Sequence, residues 1–332
     1  MAFTRRTPLR YLACITGLSL AAPLMPAHAQ GGAFPAKPVT VVVAFPPGGM
    51  TDIVSRALAK ELQQNLKQPF VVENRPGGAG QVATEWEARQ PADGYTLLVA
   101  ATGYVIAPAM KKVGYDPLKS LEPVAVLAKA PNLIVVNPSV PVKNTQEFLD
   151  WAKTESNIPF GTAGAAGSTH LGGEWLRKVT GYQFNHVPYK GAAPATNDAV
   201  AGQIPMAVQD SMSVSAFIAS GRLRPIANMA AERSKLFPDL PTLREAGPAF
   251  KDFDVYTWLG LYAPAGTPAP VLALLNEQIN KVMNSPEMAE RLRLQYSEPM
   301  GVMNLAQTRG FVAGEVAKWK RVALETGVKS EE

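Results

Sequence analysis

The 332-residue chain carries 32 Lys and Arg against 27 Asp and Glu, with three His and one Cys. Its 47% apolar and 18% charged residues exclude a disordered chain, and the length suits two ordinary domains. The lone Cys14 excludes a disulfide framework and a cysteine-based zinc site.

Residues 1–29 read as a signal peptide. Arg5, Arg6 and Arg10 form its positive region, residues 11–24 its apolar region, and Ala27-His28-Ala29 a cleavage site ahead of Gln30. The Arg pair has a twin-arginine look, although Pro8 stands where an aromatic residue is usual. Tyr11 and Leu12 make a poor lipobox for Cys14. With three Arg and no acid, the leader accounts for most of the net charge of +5, and without it the chain keeps +2. No Lys/Arg run interleaved with aromatics follows, so nucleic acid is not an expected partner.

The β-branched run from Val39 to Phe45 predicts a strand buried on both faces, ended by Pro46-Pro47-Gly48-Gly49. Thr51 or Asp52 can cap the helix that follows, with Ile53, Val54, Ala57, Leu58, Leu62 and Leu66 at a 3.6 period. Strands follow at 70–73 and 95–101, the second ending in Thr102-Gly103-Tyr104, and a glycine-rich loop at 74–80 leads into a short helix. The pattern then restarts with a strand at 133–136, a helix capped by Asn144 or Thr145, and a short strand at 158–160. The loop at 161–170 leads into a helix carrying Leu171, Trp175, Leu176 and Val179. Further strands are expected near 183–187, 206–209, 223–229 and 255–262, before helices at 268–284, 286–295 and 308–325. Alternating strands and helices imply a parallel α/β sheet. Trp151, Trp175 and Trp319 sit at helical spacing as core residues, whereas Trp258 suits either hinge packing or a cleft wall.

The chemistry-bearing templates are absent. There is no G-x-S-x-G elbow, no Walker lysine after residues 164–169, and no G-x-G-x-x-G at 48–49 or 77–80. His170 and His186 stand sixteen apart without a nearby Cys, a poor metal pair. The chain therefore reads as a non-enzyme, with no metal and no cofactor. Two glycine-rich strand-to-helix turns, at 46–52 and 162–170, can instead bind an anion through unpaired backbone N–H groups and the helix dipole. Thr51, Ser168 and Thr169 add hydroxyls. Asp52 serves as a cap or touches ligand; His170 is structural or touches ligand; Asp210 can accept from a hydroxyl or ammonium.

The chain resembles the solute-binding receptors of tripartite tricarboxylate transporters, the Bug family. The resemblance is carried by Phe45-Pro46-Pro47-Gly48-Gly49-Met50-Thr51-Asp52, Val72-Glu73-Asn74-Arg75-Pro76-Gly77-Gly78-Ala79-Gly80, Gly167-Ser168-Thr169-His170-Leu171, His186-Val187-Pro188-Tyr189-Lys190-Gly191 and Pro238-Asp239-Leu240-Pro241-Thr242, in order along the chain. It implies a two-lobed periplasmic binding protein, type II-like. Each lobe would be a mixed or mostly parallel sheet flanked by helices, with the ligand cleft between lobes. Lobe 1 would comprise residues 30–133 plus 258–332, and lobe 2 residues 134–257. Such a receptor, a monomer in the periplasm, closes over a small organic carboxylate and delivers it to the membrane subunits of its transporter.

Carried onto this chain, the family's binding positions fall at Pro47, Gly48, Gly49, Met50, Thr51 and Asp52 in the first loop. In the second they fall at Thr162, Ala163, Gly164, Ala166, Gly167, Ser168, Thr169 and His170. Thr102, Gly103, Tyr104 and Asp210 complete the set. Ala163, Ala165 and Ala166 depart from the serine-rich family pattern and suggest a mono- or dicarboxylate with an apolar or aromatic body, with Tyr104 and Met50 as its wall.

Overall fold

The computed structural model describes residues 34–328; the leader expected at 1–29 lies outside them. The chain opens as its apolar runs dictate. Strand β1 (Val39–Val43) is almost wholly buried, and helix α1 (Met50–Leu66) turns Val54, Ala57, Leu58 and Leu62 onto the sheet. Strand β2 (Phe70–Asn74), helix α2 (Gln81–Glu87) and strand β3 (Thr96–Ala101) follow. β1 lies between β2 and β3, parallel to both. Helix α3 (Gly103–Met110) starts where the sequence suggested only the end of a strand.

Strand β4 (Leu121–Val136) is the central difference from expectation, sixteen residues long where the apolar pattern marked only its last four. Pro123, Lys129 and Pro131 interrupt the pattern, and the pairing with β9 shifts register twice, after Pro123 and after Val126. Then come α4 (Thr145–Thr154), β5 (Ile158–Thr162), α5 (Ser168–Thr180), β6 (Phe184–Pro188) and α6 (Ala192–Val200). β7 (Met206–Asp210), α7 (Ser211–Ala219), β8 (Arg224–Asn228) and β9 (Tyr256–Pro264) continue. The chain ends with α8 (Ala269–Met283), α9 (Pro286–Arg293), the two-residue β10 (Glu298–Pro299) and α10 (Leu305–Thr326).

The strand order is β2-β1-β3-β9-β4-β7-β5-β6, with β8 and β10 also on β4. The sheet is mixed rather than purely parallel. β9 runs antiparallel to β3 and β4, and β4 antiparallel to β7 and β8. Along β4, residues up to Pro131 pair with β9 and residues from Asn132 pair with β7, so one strand serves both halves. The two halves thus share one continuous sheet and do not separate into independent units. Helix α10 clamps the middle. The Trp258 and Trp319 indole N–H groups both donate to Glu315 Oε2, at 2.8 and 3.0 Å, and Phe311 meets Trp258 edge-on. Trp258 is therefore packing, not cleft wall, and Trp175 and Trp319 are core as expected; Trp151 is half-buried.

Candidate functional site

Both glycine-rich turns open onto one cavity of about 340 Å3. In the first, Gly48 takes φ +89°, which a side chain would resist, and Gly49 caps α1 in extended geometry. Neither Thr51 nor Asp52 is the cap; both lie in the first helical turn. Asp52 braces the loop from behind. Its carboxylate accepts from the Gly48 N–H at 3.1 Å, from Asn74 at 2.9 Å and from Arg56 at 3.0 Å, while Asn74 also donates to the Phe45 carbonyl at 3.0 Å. Burial pushes the Asp52 carboxyl up, but the bonds from Arg56, Asn74 and Gly48 outweigh it and hold the group below the usual range. Asp52 does not line the cavity.

The second turn leads from β5 into α5, capped by Gly167. It is braced by the two histidines, whose rings stack at 3.7 Å with 17° between planes. His170 Nδ1 accepts the Ala166 N–H at 3.1 Å, at a residue held in left-handed geometry with φ +58°. His186 Nε2 lies 2.7 Å from the Thr162 hydroxyl, which donates to the Gly164 carbonyl at 3.0 Å, so Nε2 carries the proton between them. Burial pulls His170 down to about 4, helped by Arg177, and His186 to about 3, helped by His170. Both rings are neutral at physiological pH, and the bond that His170 Nδ1 accepts requires it of that ring. His170, Thr162 and Ala166 thus hold the loop and do not line the cavity.

Of the expected positions, Pro47, Gly48, Gly49, Met50 and Thr51 meet Ala163, Gly164, Gly167, Ser168 and Thr169 across the cavity, with Thr102, Gly103 and Asp210 beside them. A Cβ placed on Gly49 meets nothing within 4 Å, and one on Gly167 only Thr169 Oγ1 at 3.9 Å, so ligand can reach both backbones. Gly103 is needed for a different reason. A Cβ there would stand 3.2 Å from the Ala79 carbonyl and 3.3 Å from that of Ala166. Tyr104 was expected as an apolar wall but is core: it is buried between Tyr115 and Tyr262, and its hydroxyl donates to the Pro117 carbonyl.

Sequence reasoning missed the far side of the cavity. Phe45, Ala79, Lys190, Gly191, Pro194, Ser213, Phe217 and Thr257 also line it. The Lys190-Gly191 segment was quoted only as a family motif, and Gly191 comes close to Pro46 of the first turn. Asp210 is the buried charge of the wall, capping α7 through Ser213 at 3.0 Å; burial raises its carboxyl, and the Ser213 bonds offset this in part. Lys190 is the exposed charge at the rim. Among the described residues, no three His, Cys, Asp or Glu are grouped to hold a metal.

A family model described as "Tripartite tricarboxylate transporter family receptor" matches residues 54–328. Protein BugT of Bordetella pertussis is 34% identical over 322 residues, covering 96% of this chain and 98% of its own. A structure of an R. palustris protein with adipate superposes with a TM-score of 0.84 at 31% identity, covering 89% of this chain and 99% of that one. MatC from Rhodopseudomonas palustris with bound malate gives 0.80 at 30% identity, covering 87% and 99%. With most of its length matched in sequence and in fold, the chain belongs to the tripartite tricarboxylate transporter family of receptors.

Proposed function

We propose that the protein is an extracytoplasmic receptor that captures a small organic carboxylate between two lobes and hands it to the membrane subunits of a tripartite tricarboxylate-type transporter. One observation carries this reading: the N-termini of α1 and α5 converge on a single cavity, each behind a glycine that leaves its backbone open. Two sets of unpaired N–H groups and two helix dipoles favour an anion there. Relatives of the same fold hold adipate and malate, both carboxylates. Phe45, Pro46, Pro47, Met50, Pro194 and Phe217 supply apolar wall for the rest of the ligand, which favours an acid with an apolar body. Lobe 1 would be residues 30–133 plus 258–332 and lobe 2 residues 134–257, hinged where β4 and β9 pass between them. The receptor would work as a periplasmic monomer after removal of residues 1–29. No described helix is long and apolar enough to cross a membrane.

The test is a thermal-shift screen of protein purified from the periplasm, unfolded and refolded to strip carried ligand. The panel runs from tricarboxylates through aliphatic diacids to aromatic acids. A ligand at a hundredfold its dissociation constant adds about 2.7 kcal/mol and moves the melting temperature visibly. A panel without any shift would sink the carboxylate reading.

A further inference from the structure

Ser168 stands at the first residue of α5 and lines the cavity, but its hydroxyl is already engaged. Asn132 Nδ2 donates to Ser168 Oγ at 3.1 Å, Thr257 Oγ1 donates to Asn132 Oδ1 at 2.7 Å, and the Ser168 and Thr257 hydroxyls lie 2.9 Å apart. All three side chains are buried. Each hydroxyl has one proton. Since Thr257 gives its proton to Asn132, only Ser168 can supply the one between the hydroxyls. The three groups close a ring in which each donates to the next. Exchanging the amide oxygen and nitrogen of Asn132 reverses the ring and still uses the Ser168 proton.

The ring joins three separate elements. Asn132 is the residue at which β4 changes partner from β9 to β7, Thr257 lies at the start of β9, and Ser168 begins the helix behind the second turn. The next residue of β9 reaches the other side, where the Trp258 N–H donates to Thr102 Oγ1 at 2.9 Å. Asn132 is also the ladder partner of Asp210, whose Oδ2, among the described residues, accepts from the Ser213 hydroxyl alone, at 2.9 Å. The wall beside the two helix N-termini therefore presents acceptors, while the N-termini present donors.

We infer that Asn132 and Thr257 are positioning residues of the ligand site, and that the ring they close makes Ser168 an acceptor only. The site then selects a carboxylate that carries a hydroxyl or ammonium donor next to the carboxylate over the same acid without it. The inference rests on the carboxylate-receptor reading and names the ligand class within it. A plain acid leaves the acceptors of Ser168 and Asp210 facing its own oxygens, which costs affinity in a desolvated cavity. Ser168 does not hold the anion; the backbone N–H groups and the hydroxyls of Thr51 and Thr169 do.

Matched acids measured by calorimetry test this: malate against succinate, and mandelate against phenylacetate. The hydroxy acid is expected to bind about tenfold tighter than its partner, the size of one well-made hydrogen bond. In the double variant Asn132→Leu/Thr257→Val the Ser168 proton loses both acceptors the ring offers and turns to the ligand, so the ratio falls to about two- or threefold, whereas Thr257→Ser keeps the ring and the ratio. A purely structural role for Thr257 would weaken both acids alike and leave the ratio untouched, which overturns the proposal. Equal binding by the unmodified protein also overturns it while leaving the receptor reading intact, whereas binding of no acid overturns the receptor reading. A measurement without ligand addresses the ring itself. Ser168→Ala and Thr257→Val each break it, so their losses in melting temperature should be clearly less than additive in the double variant. Additive losses would remove the ring.

Discussion

At the scale of single residues, the site depends on the absence of side chains. Gly49 has φ −88°, a conformation any residue adopts, and the space where its Cβ would lie is empty. Gly49→Val should therefore fold normally and fill the place of the anion, lowering affinity by roughly a hundredfold or more with little change in melting temperature. Calorimetry beside a thermal melt checks both halves; a fall in melting temperature alongside intact affinity would contradict them. Gly48, at φ +89°, offers no such clean experiment, because a side chain there strains the backbone before it meets a ligand. The residue scale is also where sequence reasoning went astray. Asp52, Tyr104 and His170 sit in or beside motifs that bind, and each has the chemistry for contact. Their side chains turn away because a nearer partner claims them: Arg56 and Asn74, the Tyr115–Tyr262 stack, and the Ala166 N–H. Arg56 stands four residues from Asp52, a pair that helical spacing allows, but Asn74, Tyr262 and the course of the turn at Ala166 are not announced by any local pattern.

At the scale of elements, β1, α1, α5 and α8 are plain in the sequence, β1 as an apolar run buried on both faces and the helices because each buries one continuous face. β4 was legible only over its last four residues, since Glu122 and Pro123 before Val124–Ala128, and Lys129 and Pro131 after it, break the run. Its pairing with β9 is what makes those residues a strand. Helix α10 is the counterpart case. Its Phe311, Glu315 and Trp319 spacing was visible, but the role of a buried glutamate became clear only when two indoles were found to donate to it. Removing that acceptor leaves two buried N–H groups without a partner. Glu315→Ala is expected to cost about 3 kcal/mol, read by chemical denaturation. Glu315 Oε1 also pairs with Lys318 Nζ at 2.7 Å, and Lys318 keeps Asp254 at 3.7 Å, so the loss is shared between the two indoles and that ion pair. A cost under half a kcal/mol, about the size typical of an exposed change, would mean that α10 is not pinned this way.

At the scale of the whole molecule, buried titratable groups set how stability follows pH. Glu87 is fully buried, and among the described residues neither of its carboxylate oxygens has a partner. Burial raises it from 4.5 to about 8, with Arg75 pulling the other way. Because its folded value lies above its unfolded one, the stability it supports is complete below pH 4.5 and is lost as pH rises through 8. His170 and His186 act in reverse. Their folded values of about 4 and 3 lie below 6.5, so their contribution is complete above 6.5 and is lost as pH falls toward them. Between 4.5 and 6.5 two histidines oppose Glu87 and Asp210, whose carboxyl burial also raises, and above 6.5 the histidines no longer oppose the carboxyls. These groups place the stability maximum near about pH 6.5. Melts across pH 4 to 9 locate it, and Glu87→Gln should lessen the decline on the alkaline side. A decline that survives undiminished in Glu87→Gln would assign it to other groups.

The sequence by itself determined the α/β class, the two glycine-rich turns and the family, because these follow from local propensity, apolar period and short contiguous motifs. It marked thirteen of the positions that meet in the cavity. The tertiary structure alone decided the far wall, from Lys190 and Phe217 to Thr257, and the use to which Ser168 is put. It also decided that the sheet is mixed, with β4 and β9 running antiparallel through its centre. The physical reason is the same in each case. A turn's glycines act on their own backbone, whereas a hydrogen-bond ring among Asn132, Ser168 and Thr257 exists only after pairing has brought residues 36, 89 and 125 positions apart into contact.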